Sequence, residues 1–280
     1  MMGATGASVV EVCRALEKPR SWFYYRGRKL KGRPLRRPEV EAAIQQVVQS
    51  RPASYGYRRV HAMLGVSCDP KTVYRQMRKN AWLSNTRSKT LRPGRLHEGQ
   101  VMVAEPNRRW ASDMTWIKAW DGEKGRLAVI VDCADRMVVA WRFALRIRHE
   151  GLCEMVREAL FSRFGNEMEK GRGIEFLSDN GPEYIAEGFR AFLVQMGLVQ
   201  RRTPCRSPES NGGVEAFFGG FKRDYVYQNR LDDLEAVERQ LPGWIRDYNE
   251  VGPHGSLGMK SPARFYADWK VKNKILPVQN

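Results

Sequence analysis

Three acidic residues stand where an acidic side chain is costly unless it has a use. Asp113 lies within a run of aromatic and β-branched residues typical of a strand, where Asp is rare. Asp179 follows an apolar run that ends at Ser178, so it lies at the C-terminal end of a predicted strand, where α/β sheets usually place chemistry. Glu215 lies on a predicted helix, with 35 residues between it and Asp179.

Three carboxylates suit metal-dependent phosphodiester chemistry. Two Mg²⁺ ions about 3.5–4 Å apart can activate the attacking oxygen and stabilise the leaving oxygen, and carboxylate oxygens are ligands that Mg²⁺ prefers. Each acid alone also has a structural interpretation. Asp113 could be a hydrogen-bonded strand residue, Asp179 an Asx-turn residue, and Glu215 a solvated helix position. Together they favour a catalytic set.

Composition excludes several classes of protein. The chain has 280 residues, 42% of them hydrophobic, with no apolar stretch approaching the roughly 18 residues of a membrane span. The N-terminus has no secretory signal, so we expect a soluble cytoplasmic protein with no membrane partner. The five cysteines are odd in number and form no CxxC pair, and the four histidines lack zinc-finger spacing. Any metal should therefore be bound by oxygen.

The positive charge is concentrated in the first third of the chain. The net charge is +17; residues 1–100 carry 21 Lys and Arg against 6 Asp and Glu, which leaves 27 against 25 for residues 101–280. A basic module joined to a nearly neutral one predicts a polyanion-binding arm on a working domain. A solubilising basic surface or a site for acidic membrane is the alternative.

The basic third is predicted to be helical. Residues 1–30 form a short helical segment, and residues 38–83 form a helix-turn-helix domain whose last helix begins at Asp69-Pro70, an N-cap followed by proline. Val73 and Met77 point inward. The outer face is left for DNA-binding side chains, namely Lys71, Thr72, Arg75, Arg78 and Lys79. A small helical bundle with a solvated basic face is the alternative, and residues 84–105 form a basic linker.

From Pro106 the pattern changes to strands and then to alternating helices and strands. Three antiparallel strands are predicted at residues 109–119, 126–133 and 137–143. They are followed by a helix at 152–164, a strand at 174–178, a helix at 183–196, a strand at 198–201 and helices at 209–227 and 233–248. This order predicts a mixed α/β sheet flanked by helices over residues 106–270. Gly219 and Gly220 are expected to kink the helix that carries Glu215.

The sequence motifs around the three acids make the pattern of acidic residues specific. An Asp in a first strand, a second Asp, then 35 residues and a Glu resembles the DDE signature of retroviral-type integrases and insertion-sequence transposases. The resemblance is to the second-frame product of such elements and covers roughly residues 40–268. The matching motifs are Trp110-Ala-Ser-Asp-Met-Thr115, Ser178-Asp-Asn-Gly-Pro-Glu-Tyr184, Ser207-Pro-Glu-Ser-Asn-Gly212, Glu215-Ala-Phe217, Lys222, Tyr248-Asn249, Pro253-His254 and Ser256-Leu257.

The resemblance implies a ribonuclease H-like core with two Mg²⁺ or Mn²⁺ ions. Asp113 and Asp179 would share one ion, and Glu215 would complete the second. Lys222 would contact the transposon end, two helical turns beyond Glu215. His254 would contact DNA or help to form the turn that follows it. Asn180 and Glu183 would support the site, although turn formation and helix capping also account for them.

The activity implied is cleavage at the 3′ end of a mobile element and transfer of that end to another DNA strand. The expected partners are DNA, further copies of the chain on DNA, and an upstream-frame helix-turn-helix protein as fusion or partner. The expected location is the bacterial nucleoid. Two alternatives stay open: a non-catalytic helix-turn-helix regulator with a decayed core, against which the three intact acids argue, and a ribonuclease H-like nuclease without joining activity.

Overall fold

The structure, a computed structural model, describes residues 8–20, 38–51, 53–83, 103–202 and 212–273. It divides into two compact units, residues 1–42 and 43–280. Parts of three predicted features lie outside the described residues: residues 1–7 and 21–30 of the first helical segment, residues 84–102 of the linker, and the Ser207 motif up to residue 211.

In the first unit, helix α1 (Val9–Ala15) begins at a capping box. Ser8 and Glu11 bond reciprocally, each side chain accepting from the other's backbone N–H. Helix α2 (Pro38–Ser50) crosses the boundary between the units. The domain limits at residues 30 and 38 stay predictions.

In the second unit, α3 (Tyr57–Ala62) packs against α4 (Pro70–Lys79). Helix α4 begins as expected: the Asp69 side chain accepts from the Lys71 N–H, and Pro70 occupies the first turn. Val73 and Met77 are buried, so the inward face of α4 is as predicted.

Five strands form one mixed sheet in the order β3-β2-β1-β4-β5. Strands β1, β2 and β3 are antiparallel, as predicted, whereas β4 and β5 run parallel to β1. The strands are β1 (Arg109–Lys118), β2 (Lys124–Asp132), β3 (Val138–Ala144), β4 (Glu175–Ser178) and β5 (Val199–Arg202). Strand β2 lies inside the sheet and reads as a nearly continuous apolar run because it is buried on both faces.

Helices cover both faces of the sheet. On one face of the sheet, helices α8 (Gly212–Asp224) and α9 (Leu234–Glu250) share a hydrophobic cluster with Ile117 and Val129. On the other face, helices α5 (His149–Phe164) and α7 (Glu187–Gln195) share a second cluster with Trp110 and Ile130. Helices α6 (Pro182–Ile185) and α10 (Pro262–Lys272) complete the set of described α-helices. The predicted α/β class is confirmed.

Two details of the helices differ from the prediction. The single helix expected at residues 183–196 is broken at Ala186, whose backbone is extended (φ −52°, ψ 134°), and this separates α6 from α7. Helix α8 ends at Asp224, short of the predicted residue 227, and runs through Gly219 and Gly220 without interruption. Packing of its apolar face on the sheet, centred on Phe217 and Phe221, offsets the low helix propensity of the two glycines.

The glycines of α8 allow a stability test. We expect Gly219→Ala to raise the free energy of unfolding by about 1 kcal/mol, because a Cβ at Gly219 would meet no described atom within 4 Å. Gly125→Ala is the contrasting variant, since its Cβ would lie 2.2 Å from the Phe143 ring. Urea unfolding should shift the two midpoints in opposite directions. A destabilised Gly219→Ala variant would show that α8 requires a glycine there.

A buried ion pair closes the hairpin between β2 and β3. Asp132 and Asp135 are both fully buried, and Arg163 of α5 donates to both oxygens of Asp135 over 2.8 and 2.9 Å. The Trp110 indole N–H donates to Asp132 over 3.2 Å, and the Tyr266 ring lies 4.2 Å from the guanidinium carbon of Arg163. Burial raises the pKa of Asp135, and the charge of Arg163 opposes that rise.

Across the described residues, none of the helices combines the length and apolar character that crossing a membrane requires.

Candidate active site

The sheet register brings Asp113 and Asp179 to neighbouring positions. Strands β1 and β4 are parallel, with Ala111 opposite Leu177, and each aspartate lies two residues further along its chain. Neighbouring strands are about 4.8 Å apart. The two carboxylates are therefore held on adjacent segments, next to the C-terminal end of the short strand β4.

The negative charges of the other two acids affect the pKa of Asp113. Its pKa is raised to about 6, chiefly by burial; the Met114 N–H, which donates to Oδ1 over 2.7 Å, opposes the rise, and the negative charges of Asp179 and Glu215 add to it. The three predicted acids thus share one electrostatic environment. A cation there would relieve their mutual repulsion.

Asp179 and Glu215 reach this environment from different elements. Asp179 is half-buried, and its Oδ1 accepts from the Gly181 N–H over 2.9 Å. This is the Asx turn that the sequence offered as a structural role, and it leaves Oδ2 for another partner. Glu215 lies in the first turn of α8 and is exposed.

The carboxylate oxygens of the three acids suit a hard divalent cation, although the three side chains do not form a tight cluster. In the described ranges, no three His, Cys, Asp or Glu side chains converge closely enough to hold a metal ion. None of the three acids pairs with a Lys or Arg from the same ranges. The donor chemistry and the shared negative charge fit the expected ion, while the coordination geometry stays a prediction.

Lys222 lies on the same face of β1 as Asp113. Its Nζ donates to Thr115 Oγ1 over 2.7 Å, and Thr115 is two residues beyond Asp113, so both side chains point to the α8 side of the sheet. Burial lowers the pKa of Lys222. Sequence reasoning missed Thr115, although its spacing of two residues from Asp113 was available as a signal.

The two supporting residues occupy different surroundings. Glu183 forms an ion pair with Arg126 of β2 over 2.5 Å, and the guanidinium of Arg126 lies 5.3 Å from the Trp116 ring. Asn180 is exposed in the turn after Asp179. Sequence analysis did not single out Arg126, because a pairing between residues 57 apart leaves no local pattern.

His254 belongs to a polar network at the far end of α8. Its ring lies edge-on to Tyr248, with 4.6 Å between centroids. Arg59, from the helical segment that precedes the sheet, pairs with Asp224 of α8 over 2.6 Å and donates to the Pro253 carbonyl over 3.1 Å. Ser54 also donates to Asp224 over 2.6 Å. This network joins the α3 region to the helix that carries Glu215.

The buried setting of His254 predicts a pH effect on stability. Burial, followed by the positive charge of Arg59, lowers its pKa to about 4 from 6.5. The unfolded chain therefore binds a proton that the folded chain does not between these values, so stability falls as the pH drops from 6.5 to 4. We expect His254→Asn to remove about 2 kcal/mol of this acid destabilisation at pH 5.

Urea unfolding at pH 7.5 and at pH 5 measures the effect. His149→Asn is the control, because the His149 side chain is 37% exposed and lies on α5, away from Arg59 and Asp224. If the two variants shift the slope equally, His254 is not the titrating group.

The predicted DNA-facing side chains of α4 are all exposed. Lys71, Thr72, Arg75, Arg78 and Lys79 lie opposite the buried Val73 and Met77. Tyr74, between the two faces, packs edge-on against Tyr57 at 5.4 Å. Helix α4 therefore presents a basic surface, and its contact with DNA stays a prediction.

Comparison with known proteins finds integrase and transposase relatives. Two family models, both described as integrase core domain, match residues 103–208 and 196–262. Transposase InsD of insertion element IS2 from Escherichia coli is 35% identical over 236 residues, which cover 81% of this chain and 78% of the relative. An uncharacterized protein of insertion element IS136 from Agrobacterium fabrum is 42% identical over 177 residues, covering 62% of this chain and 90% of the relative.

Solved structures give weaker likenesses. The simian T-cell lymphotropic virus intasome matches with a TM-score of 0.48 at 16% identity, covering 85% of this chain and 77% of that one. The catalytic domain of Mos1 transposase matches with a TM-score of 0.42 at 18% identity, covering 60% and 80%.

The chain belongs to the insertion-element transposases that carry an integrase core domain. It is a transposase, an enzyme of the polynucleotidyl transferase class.

Proposed function

We propose that this transposase cleaves the 3′ ends of its element and joins them to a new DNA strand, with Asp113, Asp179 and Glu215 as its metal-binding catalytic acids. The observation that carries the proposal is the register of β1 and β4, which puts Asp113 and Asp179 at neighbouring positions. The electrostatic effect of Glu215 on Asp113 adds the third acid.

Each acid has a distinct part. Asp113 and Asp179 would hold one Mg²⁺ or Mn²⁺, and Glu215, from α8, would complete a second site. When bound, two such ions stabilise charge on the attacking and leaving oxygens of the phosphodiester. The Met114 N–H orients Asp113, and the Gly181 N–H orients Asp179, so both carboxylates are held before substrate arrives.

Basic side chains position the DNA. Lys222, held by Thr115 beside Asp113, neutralises a phosphate of the element end. Helix α4 enters the major groove through its exposed face, and the polar network around Asp224 connects that helical region to α8. Asn180, Glu183 and His254 support the site or the turns around it.

The proposed assembly is a homo-oligomer on element ends and target DNA at the nucleoid, with an upstream-frame helix-turn-helix protein as fusion or partner. These associations follow from the family, whose members act on mobile DNA. Size measurement of the DNA complex, with and without the upstream protein, tests them.

Product analysis on labelled element ends tests the proposed function. With Mg²⁺, we expect both a shortened strand with a free 3′-OH and a longer product in which that end is joined to target DNA. A reaction that yields only the shortened strand would identify a nuclease without joining activity. Specific DNA binding with no product in Mg²⁺ or Mn²⁺ would identify a non-catalytic regulator.

The α4 surface predicts a salt effect on DNA binding. If Arg75 contacts a phosphate, Arg75→Ala reduces the slope of log affinity against log salt concentration by about 0.9 and weakens binding to all sequences alike. Arg239→Ala is the control, because Arg239 pairs with Glu235 on an exposed face of α9. An unchanged slope for Arg75→Ala would remove that residue from the interface.

A further inference from the structure

A cavity next to Lys222 combines aromatic rings with positive charge. It has a volume of about 340 Å³ and lies where the end of β1 meets the segment that follows α8. Three aromatic residues and two lysines line it, and none of its described lining residues is acidic. These residues are Trp116, Trp120, Tyr227, Lys118 and Lys222.

Its aromatic side chains are unusually exposed. Trp116 is 51% exposed, Trp120 is 62% exposed and Tyr227 is 71% exposed. Two of the rings are flanked by guanidinium groups, Arg126 at 5.3 Å from Trp116 and Arg230 at 5.9 Å from Trp120. Large exposed aromatic surfaces with cationic neighbours are typical of sites that stack nucleic-acid bases and neutralise their phosphates.

The backbone holds the cavity walls in place. The Trp120 N–H donates to the Leu231 carbonyl over 2.7 Å, which ties the turn after β1 to the segment beyond α8. The Asn229 side chain donates to the Tyr225 carbonyl over 2.8 Å, which orders the short helical turn that carries Tyr227. The rings are therefore presented from ordered elements on two sides.

We propose that this cavity binds one unpaired nucleotide of the DNA strand that occupies the active site, with its base stacked on Tyr227 and Trp120 and its phosphate beside Lys118. The inference rests on the proposed function because Lys222 lines the cavity and also contacts Thr115, two residues from Asp113. The cavity therefore lies further along β1 from Asp113, near the position where a DNA strand would be bound by the three acids. Unpairing at the cleavage position supplies the free base.

Binding without chemistry tests the proposal. The probe is a short duplex with a four-nucleotide single-stranded 3′ tail, made either of thymidines or of abasic residues, and measured by fluorescence anisotropy in the presence of a chelator. We expect Tyr227→Ala to weaken binding of the thymidine tail about tenfold and to leave binding of the abasic tail unchanged, since one stacked base contributes roughly that factor. Tyr227→Phe should bind like the wild type.

Two further variants separate stacking from other causes. Lys118→Ala should weaken both tails equally, because a phosphate is present in each. Phe161→Ala should change neither, because Phe161 is 60% exposed but lies on α5, on the other face of the sheet. Equal losses on the two tails for Tyr227→Ala, or no loss on either, would overturn the proposal.

The duplex sequence distinguishes the two strands that could supply the nucleotide. A loss confined to probes bearing the element end assigns the cavity to that strand, and an equal loss on unrelated sequence assigns it to target DNA as well. Because no bond is cleaved in the chelator, a failure of the cavity proposal is separate from a failure to find metal-dependent products.

Discussion

Asp179→Asn is expected to lower both strand cleavage and strand transfer by about 10³-fold or more, since losing several kcal/mol of metal-mediated stabilisation corresponds to roughly three decades in rate. Asparagine keeps the Oδ1 that accepts from the Gly181 N–H, so the turn after β4 should survive while the negative charge is lost. Single-turnover kinetics with Mg²⁺ on labelled element ends measures the effect.

The matched control is Asp268→Asn, which removes a carboxylate that pairs with Lys260 on the surface of α10. Its rate should stay within about twofold of the wild type, as surface ion pairs contribute little. Asp113→Asn and Glu215→Gln should resemble Asp179→Asn. Full activity in any of these three variants would exclude that residue from the catalytic set.

Arg163→Ala is expected to produce the largest loss of stability, about 3–5 kcal/mol. Its side chain is 2% exposed and pairs with Asp135, which is fully buried beside Asp132. Removing the cation leaves two buried carboxylates without a compensating charge. Urea unfolding of the variant and the wild type measures the difference.

The pH dependence of this variant gives a second readout. Burial already raises the pKa of Asp135, and loss of Arg163 should raise it further. A carboxyl pKa that is higher in the folded chain than in the unfolded chain makes stability fall as pH rises. The defect of Arg163→Ala should therefore be larger at pH 8 than at pH 5. Arg239→Ala, which breaks an exposed pair with Glu235, should cost less than about 0.5 kcal/mol at both values. A small, pH-independent defect in Arg163→Ala would contradict the role assigned to this ion pair.

Local patterns were sufficient to predict much of the fold. The apolar runs of β1 to β3 and the Asp69-Pro70 start of α4 are features of residues close in the chain, so the sequence pattern predicts them. The break at Ala186 was missed because nothing local marks it: neither glycine nor proline occupies that position.

The arrangement of the site depended on contacts with no local signature. The parallel pairing of β1 with β4, which aligns Asp113 with Asp179, joins segments more than 60 residues apart. The pair between Arg59 and Asp224 spans 165 residues, and the bond from Lys222 to Thr115 spans 107. Residue types and spacing therefore indicated which side chains are candidates for the chemistry, while their mutual placement required the folded chain.

The central claim is that three acids hold two divalent ions for DNA cleavage and joining. Anomalous diffraction from crystals of the protein bound to element-end DNA and Mn²⁺ tests it most directly. We predict two ions about 3.5–4 Å apart, one bound by both Asp113 and Asp179 and the other completed by Glu215. Ions bound elsewhere, or a DNA-bound complex in which these carboxylates contact no metal, would contradict the account.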